Sequence, residues 1–128
     1  MSYEKIKDFT DLRVWQESHK LVLLTYLLTK KFPAEEKFSL TSQLRRAVVS
    51  ITSNVAEGFG RQSYKERIQF YYMAQGSLIE VKNQLLVARD IGYLDKINFE
   101  KVMEQSNVAH QLLQGLIRSS KEYLTRNS

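Results

Sequence analysis

The chain contains no cysteine and a single proline in 128 residues, with five glycines and two histidines. Without cysteine there is no disulfide framework and no thiolate metal site. So few breakers argue against a fold of many short strands and turns, and for long helices. Apolar runs such as Leu21 to Leu24 stop far short of the ~20 residues that a membrane span needs. The opening residues MSYEKIKDFTDL hold no apolar core of the kind a secretory signal has. These features lead to the expectation of a soluble cytoplasmic protein with no membrane partner. A di-iron bundle requires Glu-x-x-His on two helices, but Gln16 and Asn107 stand three positions before His19 and His110. There is no Gly-x-Ser-x-Gly elbow, and Gly58-Phe59-Gly60 lacks the Gly-Lys-Ser/Thr continuation of a nucleotide loop. No catalytic residue, no metal, no cofactor and no enzyme activity are expected.

What is present fits one globular domain over residues 1–128. Hydrophobic residues make up 43% and charged residues 26%, ordinary values for a soluble protein, and a chain of this length can bury its own core. The net charge of +5 and pI near 9.5 permit a nucleic-acid partner without requiring one. The nineteen Lys and Arg residues are spread along the chain. The only local bias is Lys37 to Ala56, which holds Lys37, Arg45 and Arg46 and no acid.

Apolar periodicity marks four helices, at about 11–31, 40–57, 64–91 and 96–124. Thr10 or Asp11 is placed to cap the first, whose spacing picks out Leu12, Trp15, Val22 and Tyr26, with Leu23 and Leu27 beside them. Phe32-Pro33 ends it, since the residue before proline avoids helical geometry. The second carries the stripe Leu40, Leu44, Ala47, Val48, Ile51 and Val55, and Gly58 and Gly60 supply its stop. Ser63 and Glu66 read as a capping box opening the third. Its stripe is Ile68, Tyr71, Ala74, Leu78, Val81, Leu85 and Ala88. Phe99, Val102, Met103, Ala109, Leu113, Leu116 and Ile117 form the stripe of the fourth, which starts near Asp95 or Asn98. The tail Thr125-Arg126-Asn127-Ser128 is expected to fray. Four amphipathic helices with short connections give an all-α, antiparallel, up-down-up-down four-helix bundle.

Folding the second and third helices back about Arg61-Gln62 sets Ala47 opposite Gly76, where two small residues would admit close backbone approach. The same register brings Glu80 near Arg45 and Arg46, so an interhelical ion pair is expected, with separate solvation of all three as the alternative. Arg46, Ser50, Asn54 (or Ser53) and Glu57 share another face. Asn and Ser are poor choices for a merely solvated helix, which favours a buried or interface seam. The candidates for a nucleic-acid contact are Arg45, Arg46, Arg61, Lys65 and Arg67, the last three around the Gly58-Phe59-Gly60 turn. There the first amides of the third helix can meet a phosphate, and Phe59 and Tyr64 can stack.

The segment Gln43-Leu44-Arg45-Arg46-Ala47-x-x-Ser50-Ile51-x-Ser53-Asn54-Val55-Ala56-Glu57-Gly58 carries a family resemblance. So do Phe9-x-Asp11-Leu12-x-Val14-Trp15-Gln16, Phe32-Pro33, Ala74-x-Gly76-Ser77-Leu78-x-Glu80 and Gly92-Tyr93. The chain resembles the small bacterial four-helix-bundle proteins first noted as products of intervening sequences in 23S ribosomal RNA genes, also labelled S23 ribosomal proteins. The resemblance covers nearly the whole chain. It implies a left-handed four-helix bundle that assembles as a homopentamer. It also implies similarity to accessory proteins of diversity-generating retroelements, basic bundles that partner a reverse transcriptase and nucleic acid. It implies no enzyme activity, and it makes Trp15, Ala47, Ser50, Asn54, Glu57, Gly58, Gly76 and Glu80 signature and packing residues. Two functions are open at this point. One is an oligomeric protein that contacts structured RNA; the other is a scaffold or accessory subunit whose partner is protein.

Overall fold

The computed structural model describes residues 5–127. It holds four α-helices: α1 (Arg13–Thr29), α2 (Leu40–Phe59), α3 (Tyr64–Asp90) and α4 (Lys96–Arg126), with short 3-10 turns at Phe9–Asp11 and Ala34–Glu36. The described residues contain no strand. Each helix packs against the next in sequence and α1 packs against α4, closing the antiparallel up-down-up-down bundle. α4 continues through Arg126, two residues into the tail expected to fray.

The stripes of α2, α3 and α4 form the core as their spacing implies. Leu44, Ala47, Val48, Ile51 and Val55 of α2 are buried. So are all seven stripe residues of α3, and Val102, Ala109, Leu113 and Ile117 of α4. Tyr71 is the largest fully buried side chain, whereas Phe70 beside it is half-buried.

α1 departs from expectation. Its inward face is Val14, Ser18, Leu21, Val22, Thr25 and Thr29, while Tyr26, Leu23 and Leu27 point outward. Three buried hydroxyl residues hide this face from an apolar count. Thr29 Oγ1 donates to the Thr25 carbonyl at 2.8 Å, a local solution that needs no partner helix. The Ser18 and Thr25 hydroxyls have no hydrogen-bond partner among the described residues. The start of α1 also differs. Asp8 and Asp11 form a reciprocal capping box around the 3-10 turn. Leu12 then precedes the α-helix without a side-chain cap, so neither Thr10 nor Asp11 caps α1.

The register between α2 and α3 is shifted from the simple fold-back. Ser50 faces Ser77, with their hydroxyls 2.8 Å apart, and Gly58 faces Phe70 and Tyr71. Ala47 therefore does not lie against Gly76. Gly76 is exposed, and nothing lies within 4 Å of where its Cβ would be. Helical side chains lean toward their own N-terminus, which displaces antiparallel partners from positions equidistant from the turn. The close approach occurs at Gly58 instead. A Cβ there would meet Tyr71 Cε1 at 2.7 Å and Phe70 Cβ at 2.9 Å.

The loops are fastened by specific groups. The Ser63 hydroxyl accepts from the Glu66 amide at 3.1 Å and opens α3. Asp95 does the same for α4, accepting from the Asn98 amide at 2.8 Å. Gly92, at φ +91°, closes α3 in a Schellman turn: Tyr93 N donates to the Ala88 carbonyl at 2.8 Å and Gly92 N to Arg89. The Tyr93 hydroxyl then donates to Glu36 Oε1 at 3.1 Å, and its ring meets Phe32 at 5.3 Å. The α1–α2 and α3–α4 loops are thus tied to each other.

Candidate functional site

The basic residues singled out in the sequence fall at opposite ends of the bundle. Arg45 lies near the start of α2 and Arg61 just past its end. That interval of sixteen residues is about 24 Å at ~1.5 Å per residue. Arg45 turns toward α1: its Nε donates to Thr29 Oγ1 at 2.9 Å, and its guanidinium lies 4.6 Å from the Tyr26 ring centroid. Arg46 is exposed. Glu80 pairs with neither. It accepts from Gln84 Nε2 at 3.2 Å, one turn along its own helix, because the register shift and the turn of α3 carry it to the outer surface. The expected interhelical ion pair does not form.

Arg61, Lys65 and Arg67 do cluster at the α2–α3 corner. Arg61 pairs with Glu57 at 3.3 Å and covers the Phe70 ring at 4.6 Å. Arg67 lies between the Phe59 and Tyr64 rings, 5.2 and 4.7 Å from their centroids, and its Nε donates to the Arg61 carbonyl at 2.7 Å. Phe59 and Tyr64 therefore hold an arginine rather than offering open faces. Lys65 is exposed. The polar face of α2 is divided. Asn54 Nδ2 donates to the Ser50 carbonyl at 2.9 Å and to the Ser50 hydroxyl at 3.1 Å, and Ser50 continues to Ser77. That part is an internal α2–α3 seam, while Arg46, Ser53 and Glu57 face outward.

Trp15 is half-buried against the core. Its indole stacks on His19 with centroids 4.7 Å apart and meets Phe9 edge-on at 5.5 Å. The second histidine lies on the α3–α4 seam. Lys82 Nζ donates to His110 Nδ1 at 2.8 Å. An ammonium has no lone pair, so the imidazole is the acceptor and carries its proton on Nε2. Burial, and then the charge of Lys82, hold the proton affinity of His110 below the ordinary histidine value. Burial lowers that of Lys82 as well.

Pattern reading missed the feature beside this seam. An open groove of about 750 Å³ runs between the first half of α3 and the last turns of α4. Tyr72, Gln75, Ile117, Arg118, Lys121 and Arg126 line it, with Glu122 the one acid. The Lys121 ammonium lies 4.9 Å from the Tyr72 ring centroid, and Tyr64 stacks on Tyr123 at 4.0 Å, which fixes α4 against the α2–α3 corner. The signal in the sequence was the gathering of Arg118, Lys121 and Arg126 within nine residues. It became readable as part of a site only once α4 was known to end beside the start of α3. Among the described residues no group of three or more His, Asp or Glu could hold a metal ion, and no helix is long and apolar enough to cross a membrane.

The molecule is a four-helix bundle of short loops with a basic groove at one end. The chain belongs to the 23S rRNA-intervening sequence protein family, whose family model matches residues 10–115. Among solved structures it is similar to a protein of unknown function from the S23 ribosomal protein family of Bacteroides thetaiotaomicron. That similarity has a TM-score of 0.76 at 24% identity, over 82% of this chain and 95% of that one, and it establishes a shared fold. No curated protein matches the sequence.

Proposed function

We propose that the protein is a non-enzymatic RNA-associated bundle that grips phosphates with its basic end. The observation behind this reading is the meeting there of Arg118, Lys121 and Arg126 on the groove with Arg61, Lys65 and Arg67 at the α2–α3 corner. These six cations face three acids, Glu57, Glu66 and Glu122. A concave surface with a cationic rim and the apolar floor of Ile117 and Tyr72 suits a sugar–phosphate chain with an occasional base against it. Arg61 and Arg67 are already held by rings and carbonyls, so they shape the corner and add field. Lys65, Arg118, Lys121 and Arg126 are the groups presented to phosphate. Arg45 and Arg46, at the far end, are outside this surface.

Anisotropy of a labelled, structured RNA measured over a salt series tests the proposal. Each neutralised phosphate releases counterions, so affinity should fall steeply as salt rises. Arg118→Ala/Lys121→Ala/Arg126→Ala should weaken binding at every salt concentration and lower the salt slope by roughly one per lost contact. Arg45→Ala should leave the slope unchanged. Absence of binding even at low salt would overturn the reading.

A further inference from the structure

We infer that the pocket between the end of α1 and the start of α2 binds a small phosphate monoester. It lies at the opposite end of the bundle from the surface proposed for RNA and is independent of it. The pocket has a volume of about 280 Å³, near the lower end of the range for ligand sites. Lys30, Lys37 and Arg45 stand around it, Thr29 and Thr41 add hydroxyls, and no acid lines it. None of the three cations forms an ion pair among the described residues. Phe32-Pro33-Ala34 supplies an apolar wall.

The first turn of α2 is short of acceptors. Ser39 stands at the N-cap position but does not cap; its hydroxyl donates to Glu36 Oε2 at 2.6 Å. The Leu40 amide goes to the same carboxylate oxygen, and the Gln43 amide returns to the Ser39 carbonyl. The Thr41 and Ser42 amides are left without a hydrogen bond among the described residues. Helix amides point toward the N-terminal end and favour an anion there. The Thr41 side chain gives a second, independent sign. It is 8% exposed, it lines the pocket, and its hydroxyl makes no hydrogen bond among the described residues. A buried polar group without a protein partner is one that a ligand or water satisfies.

Arg45 is set in place before any ligand arrives. Thr29 Oγ1 accepts from its Nε at 2.9 Å and donates in turn to the Thr25 carbonyl at 2.8 Å. The Tyr26 ring backs the guanidinium. The terminal nitrogens make one long contact, 3.5 Å to the Tyr26 carbonyl, so they remain available to an anion. Arg45 follows Thr41 by one turn, which puts both on one face of α2. The end of α1 does not oppose a negative charge: the Tyr26, Leu28 and Thr29 carbonyls accept from the amides of Lys30, Lys31 and Phe32. Glu36 turns away to Ser39, Leu40 and Tyr93. Three cations, a hydroxyl and two amides match a group with close to two charges and three free acceptor oxygens, which a phosphate monoester has near neutral pH. A diester carries one charge and is blocked on both sides. The volume and the apolar wall leave room for a small organic group on the phosphate rather than a polymer.

Titration of the whole protein with inorganic phosphate and with phenyl phosphate, followed by amide NMR, tests this. The Thr41 and Ser42 amide resonances should move saturably with both, and phenyl phosphate should bind more tightly through the apolar wall. Thr41→Val should weaken phenyl phosphate by roughly three- to tenfold, and Lys30→Gln/Lys37→Gln by about tenfold or more, with helix content unchanged by circular dichroism. Arg118→Ala/Lys121→Ala/Arg126→Ala should leave the titration of Thr41 and Ser42 as in the wild type, so this site and the RNA surface are read separately. Diethyl phosphate should not displace phenyl phosphate, and neither should an end-phosphorylated RNA oligonucleotide at equal concentration. Unmoved Thr41 and Ser42 resonances, wild-type affinity in both pocket variants, or displacement by the diester or the oligonucleotide would each overturn the inference.

Discussion

α2 and α3 pack against each other at Ser50–Ser77 and at Gly58–Tyr71, yet their outer sides have opposite characters. α2 turns serines, Gln43 and Arg46 outward; α3 turns Met73, Ile79, Leu86 and Val87 outward. Their glycines are inverted in the same way. Gly58 of α2 is pressed against Tyr71, while Gly76 of α3 stands in open space. A small residue in α2 thus serves contact inside one chain. In α3 the inner face alone completes the bundle, and the outer face remains for something else.

The sharpest break in this comparison is at Gly58. Gly58→Ala drives a methyl into Tyr71 and Phe70, and overpacking of this kind typically costs about 1–3 kcal/mol; denaturant midpoints should fall accordingly. Next is the seam between the two helices. The variant Ser77→Ala removes the 2.8 Å contact from one side and should lower stability by about 1 kcal/mol, with Asn54 left bonded to Ser50. Gly76→Ala should have the opposite sign. Nothing lies within 4 Å of a Cβ at that position, so the substitution should raise stability by up to about 1 kcal/mol through helix propensity alone. A loss at Gly76 as large as that at Gly58 would erase the distinction.

The smallest effect concerns the side of α3 that meets α4. His110 holds its proton less tightly in the fold than in the open chain, so the unfolded state binds more protons as the solution is acidified. The contribution of His110 is complete above its unfolded value of 6.5 and is lost as pH falls through the lower folded value. His110→Asn should flatten that part of the stability profile measured by thermal melting.

Much of the bundle was legible in the sequence because α2, α3 and α4 obey helical spacing with unambiguous apolar residues. Asp95 and Ser63 also announce their helices by hydrogen-bonding chemistry that works locally. α1 was misread for a physical reason: Ser18, Thr25 and Thr29 are polar by type but buried by position, and the leucines on its other side resemble core. The register of α2 against α3 was out of reach as well. Periodicity fixes which side of a helix faces in, but not how far one helix slides along another. The expected Glu80 pairing and the Ala47–Gly76 contact both rested on that slide. The candidate site divided along the same line. Lys65 and its neighbours at the corner are local in sequence and could be seen, whereas the groove joins Tyr72 to Lys121, forty-nine positions apart, and required the fold.

The bond from Tyr93 to Glu36 has a consequence for how the molecule comes apart. It spans fifty-seven positions and joins the loop of one helical hairpin to the loop of the other, so it can form only after both hairpins have docked. A contact between docked hairpins acts on the rate of opening when docking follows the folding barrier. Tyr93→Phe should therefore hasten unfolding in a stopped-flow denaturant jump while refolding keeps its wild-type rate. The tie acts as a latch on lifetime.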